Sequence, residues 1–181
     1  MNIVDFYRGL ASDNRGRTLE QIWSWDDDQL EAVHDYIQEL FPLPEPSRHF
    51  SRAPLLTAAD MTAFRADPAL RSIMMRSFRR MLSFYGLEYV DDPPSVRKAA
   101  HFSRRAENWL AFGDHNHLRI TRIIRSLRYC GLDAPAQAFV ACLTRLKQEY
   151  GRQIGDDAFA YWKDAASFDP LSESRLTAGA G

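Results

Sequence analysis

The 181-residue sequence has few of the features that mark metal-binding or membrane proteins. It contains only two cysteines, Cys130 and Cys142, and they do not form a zinc-binding pattern. Both stand in apolar helical contexts, which favours reduced, buried thiols; a disulfide between neighbouring helices is the alternative. The longest apolar runs, such as AFVACL at 138–143, are too short to cross a bilayer. We therefore predict no metal site and no transmembrane segment.

Motifs for catalysis are also missing. There is no Gly-rich phosphate loop, no His-Glu-x-x-His helix and no nucleophile elbow. The sequence thus predicts no catalytic residue and no cofactor, and it leaves enzymatic activity open without favouring it. The first ten residues, MNIVDFYRGL, lack a basic segment followed by an apolar run, so we expect a cytoplasmic protein.

Charge is present in quantity and is segregated along the chain. The net charge is −1, yet residues 1–70 carry −6, residues 71–128 carry +7 and residues 129–181 carry −2. Of the 23 basic residues 20 are Arg, whose planar fork suits carboxylate and phosphate groups. The basic middle of the chain therefore favours an acidic partner, unless the segregated charges neutralise one another within the protein.

Hydrophobic periodicity is helical almost throughout, and strand-like alternation is scarce. The composition predicts one all-α domain of about seven helices over residues 1–166, with Pro-containing loops at 42–56 and 87–102. The stretch QLEAVHDYIQELF at 29–41 predicts a single amphipathic helix. Residues 167–181 are rich in Ser, Ala and Gly, which predicts a flexible tail.

One helix, in GDHNHLRITRIIRSLRYCGL at 113–132, combines an apolar arc with a ladder of arginines. Polar and basic side chains collect at its start, where free N–H groups and the helix dipole favour an anion. The predicted ligand-binding residues are His115, Asn116, His117, Arg119 and Arg122. We expect them to hold the acidic group of an unknown peptide or a phosphate-bearing ligand. The alternative is that they cap the helix and pair with the acidic first third of the chain.

Three other interpretations of the same region remain open. The arginines could bind nucleic acid, which predicts binding that weakens steeply with salt, although the near-neutral total charge argues against a basic domain. Asp114, His115 and His117 could supply acid–base chemistry in an enzyme of unrecognised type. The charge segregation could also serve assembly, and the oligomeric state is open.

Aromatic residues are plentiful, and the core is the default place for them. Trp25 and Trp109 lie off the strongest apolar stripes, near the ends of predicted helices. Together with Tyr36 they are candidates for the wall of a groove that accepts a peptide or a base.

Four segments, in order, resemble the conserved region of the opioid growth factor receptor family. They are FYR at 6–8, HDYIQELFPLPEPS at 34–47, MLSFYGLEY at 81–89 and HNHLRITRIIRSL at 115–127. The second is similar to the family's Tyr-Ile-Gln-Trp-Leu-Phe-Pro segment, except that Glu39 stands at the tryptophan. The fourth is similar to its His-Asn-x-Leu-Arg-Ile-Thr-Arg segment.

The resemblance implies a helical domain without an established catalytic role. In animals the family is associated with binding the pentapeptide Met-enkephalin, with the nucleus and with growth inhibition. This sequence has no evident nuclear localisation cluster and no long repeat-bearing tail. The resemblance therefore implies the fold more strongly than the receptor activity, since one fold can carry several functions.

Overall fold

A computed structural model of the chain describes residues 2–47, 50 and 52–170. Within these residues the protein is mostly helical, with ten α-helices and one small antiparallel sheet. The elements in chain order are α1 Ile3–Tyr7, α2 Leu19–Ser24, α3 Asp27–Ala32, α4 Tyr36–Leu40, α5 Ala58–Ala66, α6 Pro68–Phe84, β1 Leu87–Val90, β2 Ser95–Lys98, α7 Phe102–Ala106, α8 Asn116–Tyr129, α9 Asp133–Tyr150 and α10 Asp156–Ser167.

The prediction of a strictly all-α fold is wrong at the second Pro-containing loop. There β1 and β2 form a hairpin in which Leu87 is opposite Lys98 and Val90 is opposite Ser95. The alternation that would have shown these strands is only four residues long on each side, which is too short to stand out from loop sequence. The first loop contains no helix in its described part, as predicted, and a single parallel bridge joins Leu43 to Leu55.

The described residues contain ten helices where about seven were predicted, in part because one expected helix is divided and the short helix α1 was not expected. The segment predicted as a single helix forms α3 and α4, separated at Val33, whose backbone is extended at φ −93° and ψ 130°. Beside the break, the Asp35 carboxylate forms ion pairs with Arg17 Nη1 at 2.8 Å and with Arg15 Nε at 3.0 Å. Ion pairs with residues distant in the sequence thus accompany the break, and periodicity alone cannot show them.

Side-chain caps and left-handed glycines mark several of the helix ends. Asp26 Oδ1 accepts from the Gln29 amide at 2.7 Å at the start of α3. Thr57 and Asp60 form a reciprocal capping box at the start of α5. Gly86 and Gly131, at φ 75° and 80°, follow α6 and α8 in the left-handed conformation that favours glycine.

The described residues group into two compact units. The first contains the chain up to Ser77, Tyr129–Gly131 and the described residues from Asp169 onward; the second contains Phe78–Arg128 and Leu132–Phe168. The second unit holds the apolar arc of α8, and its predicted burial is confirmed. Ile120, Ile123, Ile124 and Leu127 are each 0 % exposed.

Cys130 and Cys142 are both buried, as predicted. No helix among the described residues is long and apolar enough to cross a membrane. Helix α10 continues to Ser167, the first residue of the predicted tail, and residues 171–181 of that tail lie outside the described part of the chain.

Candidate functional site

A cleft of about 610 Å³ lies in the second unit, between the start of α8 and the start of α10. Its walls come from the loop that precedes α8, from the first two turns of α8 and from the residues around the start of α10. This volume is in the range of small-molecule and peptide side-chain pockets.

The rim of the cleft is apolar and open to solvent. Phe112, Leu118 and Tyr161 are 81 %, 58 % and 58 % exposed. They account for three of the five large hydrophobic side chains that are exposed among the described residues. A cluster of exposed apolar side chains of this kind is typical of an interaction site.

A glycine allows one of these rings to lie close to the backbone. A methyl group added at Gly155 would stand 2.9 Å from Phe112 Cε2, so the ring rests on the bare glycine backbone. This contact positions Phe112 against the start of α10 although most of its surface faces solvent.

The charged side chains that line the cleft are mainly acidic. Asp114, Asp156 and Asp157 contribute to its walls, and no Lys or Arg lines it in the part of the chain that the structure describes. Lys147 Nζ lies 2.8 Å from Asp156 Oδ1 and lowers the pKa of that carboxyl through a hydrogen bond. The local charge of the cleft is therefore negative, in contrast to the +7 of the surrounding sequence.

Two histidines line the same cleft in different states. His115 is exposed, and its Nδ1 lies 3.8 Å from Asp114 Oδ1. His117 is buried, with Nε2 3.0 Å from the Trp109 carbonyl oxygen, so Nε2 must carry a proton there. Burial lowers the pKa of His117, which keeps its ring neutral near pH 7. The structure thus brings the predicted pair to one cleft, but with the buried ring held in place.

The N–H groups at the start of α8 are already used within the protein. The Asn116 amide donates to Asp114 Oδ1 at 2.8 Å, and the His117 amide donates to the Asp114 carbonyl at 3.0 Å. The amides of Leu118 and Arg119 both donate to the His115 carbonyl, at 3.1 and 3.4 Å. The donors that an anion would need at this helix start are therefore occupied.

The predicted basic residues do not line the cleft. Asn116 and Arg119 are buried, at 0 % and 5 % exposed, and Arg119 Nη1 donates to Asn116 Oδ1 at 3.1 Å. Arg122 is half-buried and is also not among the lining residues. Of the five predicted ligand-binding residues, the cleft contains only His115 and His117.

The end of the arginine ladder is engaged inside its own unit. Arg128 Nε lies 3.1 Å from Asp133 Oδ1, and Arg128 Nη1 donates to the Ala166 carbonyl. The guanidinium groups of Arg125 and Arg128 lie over the Phe168 ring, 5.4 and 5.2 Å from its centroid. These contacts use cations that a nucleic acid would otherwise bind.

Two of the three aromatic residues proposed for a groove are in the core, and the third, Trp25, is half-buried. Tyr36 and Trp109 are both 0 % exposed. Trp109 Nε1 donates to the Tyr85 carbonyl at 3.0 Å, which satisfies its one polar atom inside the protein. Neither ring therefore presents surface to a ligand in this structure.

Sequence reasoning missed Phe112, Tyr161 and the two aspartates of α10. No motif joins them, since more than thirty residues separate the two segments that line the cleft. The available signal was weak: Tyr161 stands beside Trp162 on α10, and only Trp162 is buried. No group of three or more His, Cys, Asp or Glu in the described chain is placed to hold a metal ion.

Comparison with known proteins identifies the chain at the level of its family. The profile described as Opioid growth factor receptor (OGFr) conserved region matches residues 5–167. The opioid growth factor receptor of Mus musculus is 40 % identical over 135 residues, which cover 72 % of this chain and 21 % of the relative. The opioid growth factor receptor of Homo sapiens is 36 % identical over 147 residues, covering 78 % and 21 %. The opioid growth factor receptor-like protein 1 of Mus musculus is 34 % identical over 112 residues, covering 62 % and 24 %.

The chain therefore belongs to the opioid growth factor receptor family, as the four sequence segments predicted. It spans about a fifth of the length of the receptors that it matches. No solved structure matches it significantly.

Proposed function

We propose that the chain is a non-enzymatic binding module whose cleft takes a short peptide. An apolar or aromatic side chain of the ligand packs against Phe112, Leu118 and Tyr161, and a positively charged group faces the aspartates. The observation that carries the proposal is the exposed apolar rim around an acidic cleft of about 610 Å³. The similarity to proteins named opioid growth factor receptor supports a peptide-sized ligand.

The charge of the cleft favours an amine over the acidic group expected from the sequence. Asp114, Asp156 and Asp157 line the cleft against a single ion-paired cation, Lys147, among the described residues, and the helix-start amides are occupied. Arg119 is buried and Arg122 is half-buried, so both side chains would have to leave their positions to reach an anion in the cleft. The acidic-ligand version remains the alternative, and the two make opposite predictions.

Calorimetric titration with three forms of Met-enkephalin distinguishes an amine-binding cleft from one that binds an acidic group. We expect the free peptide and the carboxyl-amidated peptide to bind alike, and the amino-acetylated peptide to bind at least about tenfold more weakly, since it has lost its charge. Weakening by amidation instead would support the acidic-ligand alternative. No binding of any form up to about 1 mM would contradict peptide binding in this cleft.

Two variants test whether the peptide binds in this cleft. Leu118→Ala and Tyr161→Ala remove exposed rim side chains, so they should leave the fold intact and weaken binding by about tenfold. Leu10→Ala is the matched control, because Leu10 is 74 % exposed and does not line the cleft. Equal affinities for all three variants would place the ligand elsewhere. Steeply salt-dependent binding to DNA or RNA, unchanged by the rim variants, would favour the nucleic-acid alternative instead.

A further inference from the structure

The first unit contains a second, smaller cleft of about 340 Å³. It is lined by the end of α1, by α2 and by one face of α6. Its polar character differs from that of the peptide cleft, because two arginines, Arg8 and Arg76, stand on its walls with one carboxylate, Glu20.

An aromatic ring fixes one of the two guanidinium groups. The guanidinium carbon of Arg76 lies 4.0 Å from the centre of the Trp23 ring, a close cation–π contact. The Trp23 indole is itself held, because its Nε1 donates to Ser77 Oγ at 2.9 Å. Arg76 is thus positioned on an anchored ring, and no carboxylate among the described residues forms an ion pair with it.

Further donors stand near it. Ser72 lies one helical turn before Arg76 on α6, so the hydroxyl and the guanidinium share one helix face. Arg8 joins them from the end of α1, with a side chain 48 % exposed and a solvent-accessible ion pair to Asp67 at 3.3 Å. An exposed pair of this length is weak and can be exchanged for a better anion.

We propose that this second cleft binds a small phosphate-bearing ligand, with Arg8, Arg76 and Ser72 donating to the phosphate oxygens. Arginine forks match phosphate geometry, and a phosphate accepts several such bonds at once, whereas a carboxylate has fewer acceptor positions. The one opposing charge on the wall, Glu20, favours a ligand whose remaining part is neutral. The apolar side chains of Leu19 and Ile73 supply the surface for that part.

The test is calorimetric titration of the full chain with inorganic phosphate, with adenosine monophosphate and with acetate. We expect both phosphates to bind with a Kd of roughly 0.1–1 mM and acetate to bind at least about tenfold more weakly. Acetate binding as tightly as phosphate, or no binding of either phosphate, would overturn the proposal. Adenosine monophosphate binding more tightly than phosphate would show that the apolar wall also contributes.

Substitutions of the two arginines test whether phosphate binds in this second cleft. Arg76→Gln and Arg8→Gln should each weaken phosphate binding by about tenfold, because each loses a charged donor. Arg104→Gln is the matched control, since Arg104 is an exposed arginine outside the cleft. If Arg104→Gln weakens phosphate binding as much as Arg76→Gln does, the binding depends only on total charge and the site assignment is wrong. A thermal melt of each variant confirms that the fold is retained.

Discussion

The buried carboxyl of Glu39 should make the first unit less stable as the pH rises. Glu39 is 0 % exposed, and Oε2 has no hydrogen-bond partner among the described residues. The other oxygen, Oε1, accepts a hydrogen bond from Asn14 Nδ2 at 3.2 Å. Burial, and then the neighbouring Asp13 carboxylate, raise the pKa of Glu39 from 4.5 to about 7, against the lowering effect of Arg17.

The sign and size of this change in stability follow from the difference between the pKa values of Glu39 in the folded and unfolded states. Because the pKa in the folded state is above that of the unfolded chain, the protonated form stabilises the fold fully below about pH 4.5, and this stabilisation is lost as the pH rises through about 7. At about 1.4 kcal/mol per pH unit, the loss amounts to roughly 3 kcal/mol by about pH 9. Glu39→Gln keeps the shape and the acceptor for Asn14 but cannot ionise. We therefore expect the variant to match the wild type near pH 4.5 and to be more stable by up to about 3 kcal/mol near pH 9.

Urea unfolding at several pH values measures this directly, with the difference in the free energy of unfolding between variant and wild type plotted against pH. Glu107→Gln, at an exposed glutamate, is the matched control for the replacement of a glutamate by glutamine. A Glu39→Gln difference that does not change between about pH 5 and pH 9 would refute the reasoning, since it would mean that the native Glu39 carboxyl titrates as it does in the unfolded chain.

Three further predictions about local structure can be checked by thermal or urea unfolding. Thr57→Ala removes the capping box of α5 and should cost about 1 kcal/mol; no loss would mean that the box contributes nothing. Gly86→Ala should destabilise by more than Gly9→Ala, because both glycines have positive φ but only at Gly86 does the added methyl stand 2.7 Å from neighbouring backbone. Equal losses would contradict this contact. Ile123→Ala should cost about 2–5 kcal/mol, whereas Leu118→Ala on the exposed side of the same helix should be nearly neutral, and the reverse order would place the core on the wrong face of α8.

Much of the helical framework could be predicted from the sequence, because local chemistry decides it. The cap at Asp26, the capping box at Thr57 and the left-handed glycine at Gly131 each act within a few residues. The division of α3 from α4 could not be predicted, since Asp35 there pairs with Arg17, which lies 18 residues away in the chain.

The candidate site was predicted only in part, for a related reason. Two of the residues predicted on the α8 segment, His115 and His117, line the candidate cleft. Its charge was expected to be positive because the arginines dominate the local sequence. In the structure Arg119 is buried, and the carboxylates of Asp156 and Asp157 come from a helix distant in the sequence. A cleft formed by two segments takes its charge from both, and a single segment cannot reveal it.

The amine-acetylation experiment tests the central claim most directly. The proposed peptide cleft predicts that acetylating the amino terminus of Met-enkephalin weakens binding by at least about tenfold, and that Leu118→Ala and Tyr161→Ala reduce the affinity for the unmodified peptide while Leu10→Ala does not. Binding that is unaffected by acetylation and by the two rim substitutions would contradict it.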